Sequence, residues 1–202
     1  IGVTNVTVAG DTRFDRVGRI ADGARRLPAV EDFAAGGTVF VAGSTWPPDE
    51  EILVRLINVN PGMKFIVAPH EMDEKRIKEM AGAVRGGAVR YTEYGEADDG
   101  GEKQLLIIDT IGILSSVYGY GSYAYIGGGF GVGIHNTLEA AAFGIPVAFG
   151  PNYAKFREAR DLISLGAARS ISSYEELAVW LASLQSDRQA YGRAAAEAGA
   201  YV

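Results

Sequence analysis

Short apolar segments alternate with longer helical stretches along most of the chain. Segments of the first kind are typical of strands, and those of the second kind are typical of helices that pack on a sheet. The predicted strands are Val3–Ala9, Thr38–Ala42, Lys64–Ala68, Ala88–Tyr91, Leu105–Ile108, Tyr123–Ile126, Pro146–Phe149 and Ala167–Ile171. The predicted helices are Asp49–Val59, Glu71–Val84, Ile111–Tyr118, Asn136–Phe143, Lys155–Leu165, Ser173–Leu184 and Arg188–Val202.

This alternation predicts an α/β fold, with a Rossmann-like parallel sheet covered by helices on both faces. Crossovers between parallel strands are right-handed, and ligands of such sheets gather at the carboxyl ends of the strands. Functional residues are therefore expected in the loops that follow the strands.

The segment after the predicted strand Tyr123–Ile126 is the most informative one for function. It contains a glycine cluster and then the polar start of a helix: Gly127, Gly128, Gly129, Gly131 and Gly133, followed by His135, Asn136 and Glu139. Glycine lets a backbone approach a phosphate, and a helix N-terminus favours negative charge, so the segment predicts an anion site. Asn136 is a good N-cap, and Glu139 could close a capping box or face a ribose diol. The alternative is a flexible turn before a capped helix, and the spacing matches neither the dinucleotide nor the P-loop pattern.

Two other strand ends carry polar residues on the same predicted edge. Ser44 and Thr45 follow the strand Thr38–Ala42 and could offer hydroxyls and amides, or they could form an ordinary loop before a helix. His70 follows Pro69 and could contact an anion or carry a proton, although a lone loop histidine is more often a surface or capping residue.

Two further segments are weaker candidates. Asp109 and Thr110 follow the strand Leu105–Ile108 and could contact a ligand or only cap the next helix. The charged segment Asp11–Val17, with Arg13, could form a salt-bridged turn or face a ligand.

Composition excludes several classes of protein. The chain has 202 residues, is 48% hydrophobic and 22% charged, and has a net charge of -6. This acidic balance argues against a nucleic-acid groove, which needs clustered lysine and arginine. The absence of cysteine excludes disulfides and thiolate chemistry, and only two histidines make a histidine-rich metal centre improbable. No apolar run approaches the length of a membrane span, and because the chain begins at Ile1 inside a predicted strand, we expect it to be a fragment.

The motifs, taken in order, resemble a known family. They are Gly10–Val17, Gly43–Pro47, Pro69–Glu71, Asp109–Gly112, Gly127–Phe130 with His135–Ala141, and Gly150–Tyr153. Together they resemble the bacterial Kdo transferases, the 3-deoxy-D-manno-octulosonic acid transferases of lipid A assembly, over the C-terminal half of that family. Six motifs in register are far more specific than the glycine cluster alone.

The resemblance implies a GT-B glycosyltransferase, in which two Rossmann-like domains face each other across a cleft. It implies that this half binds the donor CMP-Kdo, while the N-terminal domain holds the lipid A precursor and supplies the catalytic base. The implied transfer is inverting and uses no metal or cofactor, at the cytoplasmic face of the inner membrane of a Gram-negative bacterium, with this piece soluble. The implied division is a first strand and linker (1–37), a donor domain (38–185) and a C-terminal helix (186–202).

The resemblance also implies roles for individual residues. The amides of Gly128–Gly133 and the helix start at Asn136 would stabilise the leaving phosphate, and Glu139 would bind the ribose. Ser44 and Thr45 would reach the phosphate or the Kdo carboxylate. The family has Pro-Arg-His where this chain has Ala68, Pro69 and His70, so an arginine is missing, and His70 or Arg13 could compensate in part. A UDP-sugar transferase or epimerase, and a non-catalytic binding module, are the alternatives.

Overall fold

The strands form a single sheet. A computed structural model describes residues 21, 23–95 and 102–202, so the predicted strand Val3–Ala9 and the segment Asp11–Val17 with Arg13 lie outside the described residues. The strands are β1 (Thr38–Thr45), β2 (Met63–Pro69), β3 (Ala88–Arg90), β4 (Leu105–Ile107), β5 (Tyr123–Ile126), β6 (Val147–Phe149) and β7 (Ala168–Ser170). Each of them overlaps a strand predicted from the sequence.

The sheet has the order β3-β4-β2-β1-β5-β6-β7, and all its neighbouring strands run parallel. A parallel sheet of this kind is covered on both faces, which explains why its strands are continuously apolar. Val39 and Val41 pack on one face of the sheet, and Phe40 and Ala42 pack on the other. The predicted α/β fold with helices on both faces is confirmed.

The helices divide between these two faces. They are α1 (Pro28–Ala34), α2 (Pro47–Val59), α3 (Glu74–Ala83), α4 (Leu114–Val117), α5 (Leu138–Ala141), α6 (Arg157–Ser164), α7 (Tyr174–Ser186) and α8 (Arg188–Tyr201). One apolar cluster contains buried residues of α1, α4, α5 and α6, and the other contains buried residues of α2, α3 and α7. Helix α8 contributes Ala198 to the first cluster and Ala194 to the second, so it lies at the border between them. Within the described ranges, no helix is both long and apolar enough to span a bilayer.

Helices α4 and α5 are half as long as the sequence predicts, and strand β1 is three residues longer. Helix α5 has four residues instead of the predicted Asn136–Phe143, because a turn ending at Gly144, with φ +64°, stops it early. The predicted helix Ile111–Tyr118 is a four-residue α4 followed by a 3₁₀ turn at Tyr118–Tyr120. Strand β1 continues to Thr45 past a bulge at Ser44, whose φ is +55°.

Candidate functional site at the carboxyl edge of the sheet

The candidate site lies where the winding of the sheet reverses. Strand β1 is paired with β2 on one side and with β5 on the other, so that β2, β3 and β4 lie on one side of β1, and β5, β6 and β7 lie on the other. The loops after β1 and β5 therefore diverge and leave a crevice at the carboxyl ends, which is the usual ligand position in open α/β sheets. Most of the predicted site residues lie in the loops after β1, β2 and β5, which all end at this edge.

Asp49 ties together the segments that form the crevice. Its carboxylate is fully buried and accepts hydrogen bonds from the Tyr125 hydroxyl (2.6 Å), the Trp46 amide (2.9 Å) and the Gly128 amide (2.9 Å). Burial, and then the neighbouring Asp49, raise the pKa of Tyr125. Because these donors come from the start of α2, from β5 and from the glycine loop, one side chain fixes all three segments.

The glycine loop is a closely packed turn rather than a flexible one. A Cβ on Gly127 would lie 2.2 Å from the Ser44 carbonyl oxygen, and a Cβ on Gly129 would lie 2.6 Å from the Gly150 backbone. Such approaches essentially never occur for real side chains, so both positions require glycine. The flexible-turn alternative of the sequence analysis therefore does not describe this segment.

Three of the six amides of Gly128–Gly133 donate hydrogen bonds within the protein. Gly131 and Gly133 donate to the Gly128 carbonyl (3.0 and 3.1 Å), and Gly128 itself donates to Asp49. Gly128 and Gly133 adopt positive φ, +92° and +131°, as the sequence analysis expected of glycine here. The expectation that these three amides would face a phosphate is corrected: in this conformation they stabilise the turn, because the loop folds back on itself.

Thr45 points into the protein rather than into the crevice. It is fully buried, and its hydroxyl donates to Glu50 (3.0 Å), which also pairs with Arg76 (2.8 Å). Burial raises the pKa of Glu50, although Arg76 and Thr45 oppose that shift. The expectation that the Thr45 hydroxyl binds a ligand is therefore corrected, because the bulge at Ser44 turns the next side chain inward.

Three aromatic rings form a stack across the crevice. Trp46 stacks on His70 with centroids 4.6 Å apart, and His70 lies 4.4 Å from the ring of His135. The indole Nε1 of Trp46 donates to Nε2 of His135 at 3.3 Å. Burial lowers the pKa of His135, and the neighbouring His70 lowers it further, whereas Asp49 acts in the opposite direction. The two predicted histidines are thus brought together, with a tryptophan that the sequence analysis did not select.

Asn136 and Glu139 are coupled at the start of α5. The Asn136 side-chain oxygen accepts from the Leu138 amide (3.1 Å), and its Nδ2 donates to the Glu139 carboxylate (3.1 Å). Thr137 occupies the N-cap position, so the prediction of Asn136 as the N-cap was wrong by one residue, although its side chain still accepts a hydrogen bond at the helix start. The predicted capping box is replaced by a contact between the two side chains, which holds the Glu139 carboxylate near the helix start.

The remaining predicted residues play structural roles or make few contacts. Asp109 accepts from Arg90 Nε (2.9 Å) and from the amide and hydroxyl of Thr92 (3.0 and 2.6 Å), so it fastens β3 to β4 instead of facing a ligand or capping a helix. Pro69 is a buried residue at the end of β2, paired with Thr45. Thr110 is half-buried just beyond β4.

An apolar pocket of about 250 Å³ adjoins the crevice. It is lined by Trp46, Pro47, Pro48, Asp49, Gly128, Phe130, Gly131 and Val132. Val132 is 78% exposed, and Trp46 stands between this pocket and the two histidines. Sequence reasoning missed Trp46 and Asp49 because both read as the start of a helix, and the only signal was their place directly after β1.

Comparison with known proteins finds relatives that are named as 3-deoxy-D-manno-octulosonic acid transferases. No family model matches the chain. The 3-deoxy-D-manno-octulosonic acid transferase of Aquifex aeolicus is 29% identical over 156 residues, which are 74% of this chain and 42% of the relative. That of Bordetella pertussis is 27% identical over 208 residues, 96% of this chain and 48% of the relative.

The chain is related to the 3-deoxy-D-manno-octulosonic acid transferases, the Kdo transferases. A further relative, from Rickettsia prowazekii, is 30% identical over 151 residues, 72% of this chain and 32% of the relative. The chain thus spans less than half the length of these Kdo transferases. The resemblance stated from the motifs is confirmed.

Solved structures support the same fold. The C-terminal CMP-Kdo binding domain of WaaA from Acinetobacter baumannii has a TM-score of 0.72 at 18% identity, covering 95% of this chain and 98% of that domain. The S. aureus protein MnaA, in a structure with UDP, has a TM-score of 0.65 at 14% identity, covering 96% of this chain and 49% of that one. At these identities the likeness concerns the fold alone: the chain has the fold of the C-terminal domain of WaaA, as expected.

Proposed function

We propose that this chain is the donor-binding half of a Kdo transferase and binds CMP-Kdo. The observation that carries the proposal is the gathering of His70, His135, Asn136 and Glu139 around one crevice at the reversal of the sheet, in a relative of the Kdo transferases. The WaaA domain, which is named for CMP-Kdo binding, has the same fold over nearly its whole length. Donor binding at this crevice agrees with both observations.

The polar groups at the crevice suit a nucleotide that carries a sugar. The Glu139 carboxylate, oriented by Asn136, is an acceptor for the two ribose hydroxyls. His135 and His70 offer ring nitrogens near the carboxyl end of β1, where a phosphate or sugar carboxylate would lie. Hydrogen bonds from such preorganised groups would strengthen as charge develops on the departing phosphate.

The proposed reaction also involves groups outside this chain. We propose an inverting transfer of Kdo to a lipid A precursor, without metal assistance, at the cytoplasmic face of the inner membrane. The catalytic base and the acceptor site would belong to an N-terminal domain of the same polypeptide. The absence of any Asp-x-Asp sequence in the chain agrees with a transfer that does not use a metal-bound diphosphate.

The nucleobase distinguishes this proposal from the alternative of a UDP-sugar enzyme. That alternative has a specific basis, because MnaA with UDP has the same fold. Calorimetric titration of the chain with CMP and with UMP separates the two. We expect CMP to bind at least about tenfold more tightly than UMP, a difference of about 1.4 kcal/mol.

The same titration identifies the result that would contradict the proposal. Equal affinity for CMP and UMP, or tighter binding of UMP, would favour the UDP-sugar alternative. No binding of either nucleotide would leave the chain as a module that does not bind a nucleotide by itself. Titration with AMP serves as the control for unspecific binding of a nucleoside monophosphate.

A further inference from the structure

The hydrogen bond between Trp46 and His135 determines which nitrogen of the imidazole carries the proton. An indole N–H can only donate, so His135 Nε2, 3.3 Å away, must be the unprotonated acceptor. The neutral ring then carries its hydrogen on Nδ1. Turning the ring over would place a C–H group against the indole N–H, which offers no acceptor.

The His135 ring packs closely against the glycine loop. The Cδ2 atom faces Gly128 so closely that a Cβ on that glycine would lie 3.1 Å from it. Within the part of the chain that the structure describes, Nδ1 has no hydrogen-bond partner, and it is not among the buried atoms left without one. Nδ1–H is therefore an available donor at the crevice.

We propose that Trp46 is a positioning residue that holds His135 as the neutral Nδ1–H tautomer, so that the site offers a neutral hydrogen-bond donor to an oxygen of the bound ligand. The ligand atom would be an acceptor oxygen of a phosphate or carboxylate group. This inference rests on the proposed function, because it assigns the role of one residue in the proposed donor site.

The groups around His135 favour the neutral ring. His70 lies against it from the end of β2, and its electrostatic effect lowers the pKa of His135. Asp49 acts in the opposite direction, but its carboxylate already accepts three hydrogen bonds. Lys155 donates to the Val132 carbonyl, and Glu139 accepts a hydrogen bond from Asn136.

Protonation of His135 would also break its hydrogen bond with Trp46. An imidazolium has hydrogens on both nitrogens, so Nε2–H and the indole N–H would oppose each other. The bond to Trp46 therefore stabilises the neutral form relative to the imidazolium. Removing the indole N–H should raise the pKa of His135 and free the ring to adopt the other tautomer.

The tautomer can be measured directly by NMR. The chain has only two histidines, so His70→Asn assigns the imidazole signals without ambiguity. Long-range ¹⁵N–¹H correlation at neutral pH should show the hydrogen of His135 on Nδ1 and none on Nε2. A hydrogen on Nε2 would overturn the inference, and this measurement needs no variant at position 46.

The role of Trp46 is tested with Trp46→Phe, which keeps a ring to stack on His70. We expect a mixed tautomer, a raised His135 pKa, and about fivefold to tenfold weaker CMP binding, because one hydrogen bond in the site is lost. Trp180→Phe is the matched control: Trp180 packs edge-on against Tyr123, outside the three-ring stack, and its replacement should change none of these quantities.

The outcomes separate the two proposals. If the wild-type chain binds neither CMP nor UMP, the proposed function fails, while the NMR result still decides the tautomer. If CMP binds but Trp46→Phe changes neither the tautomer nor the pKa of His135, the positioning role is overturned. If the tautomer changes and CMP affinity does not, the ligand does not use Nδ1–H, and the inference is likewise overturned.

Discussion

At the scale of single residues, the direction of a polar side chain decides its role. Thr45 and Asp49 occur within five residues of each other, yet Thr45 donates into the interior and Asp49 organises the site. A sequence shows that polar residues follow a strand, which was enough to predict His70, His135 and Glu139 at one edge. It does not show that a bulge at Ser44 turns the following side chain inward, because that depends on the local backbone.

Glu139 is the residue whose proposed role is most directly testable. Glu139→Ala should weaken CMP binding about tenfold to a hundredfold, because a charged acceptor for the ribose hydroxyls is lost. The same change should leave the affinity for 2′,3′-dideoxy-CMP unaltered, since that nucleotide has no hydroxyls to donate. Calorimetry with both nucleotides measures the two effects.

The control for this prediction is Glu175→Ala. Glu175 lies on α7, where it pairs with Arg55, and both side chains are largely exposed, 65% and 60%. Its replacement should change neither affinity. An equal loss of affinity for CMP and for its dideoxy form in Glu139→Ala would mean that Glu139 acts on the loop rather than on the ribose.

At the scale of elements, the sequence predicts strands better than helices. Parallel strands buried on both faces are continuous apolar runs, so all seven strands of the described residues were located to within about three residues at either end. Helix α5 was overestimated because its alanines favour a helix, while the turn at Gly144 and the Asn136 side chain limit it at both ends. These limits come from backbone geometry that composition does not specify.

The contact between α2 and α3 provides an element-scale prediction. Arg76 on α3 pairs with the buried Glu50 on α2 at 2.8 Å, where the two side chains are 19% and 10% exposed. Arg76→Met keeps the aliphatic stem but leaves a buried carboxylate without its partner. We expect a loss of about 2 kcal/mol in the free energy of unfolding at pH 7, below the usual cost for fully buried pairs because this one is partly exposed.

The pH dependence of that loss follows from Glu50. Burial raises its pKa, and removal of Arg76 raises it further, so the folded variant binds a proton more readily than the unfolded chain. The destabilisation should therefore shrink as the pH falls from 7 toward 5, because protonated Glu50 needs no partner. Urea unfolding of the variant and of the wild type at pH 7 and pH 5 measures this change in the free energy of unfolding. Lys75→Met is the control, because Lys75 lies on the same helix and pairs with Glu79 where both side chains are exposed. It should lower the free energy of unfolding by less than about 0.5 kcal/mol at either pH. Similar losses in the two variants would contradict the prediction.

At the scale of the whole molecule, one carboxylate links the two halves of the sheet. The halves meet at the pair β1–β5, and Asp49 joins the chain after β1 to Tyr125 of β5 and to the loop that follows it. Asp49 and Gly128 are 79 positions apart in the sequence. Neither the adjacency of β1 and β5 nor this link can therefore be inferred from chain order. The position of the crevice therefore depends on the order of the strands in the sheet.

Asp49→Asn tests whether this link stabilises the entire fold. An amide has the same shape, but its NH₂ group would face at least one of three donors, so buried donors would lose their acceptor. We expect a loss of about 3 kcal/mol in the free energy of unfolding, measured in urea, and about 1 kcal/mol for Tyr125→Phe, which removes one of the three bonds. Asp32→Asn, whose bond to Tyr94 is exposed, is the control and should cost less than either. If Asp49→Asn costs no more than Asp32→Asn, Asp49 does not hold the halves together, and the crevice must be maintained by the glycine contacts between the loops after β5 and β6.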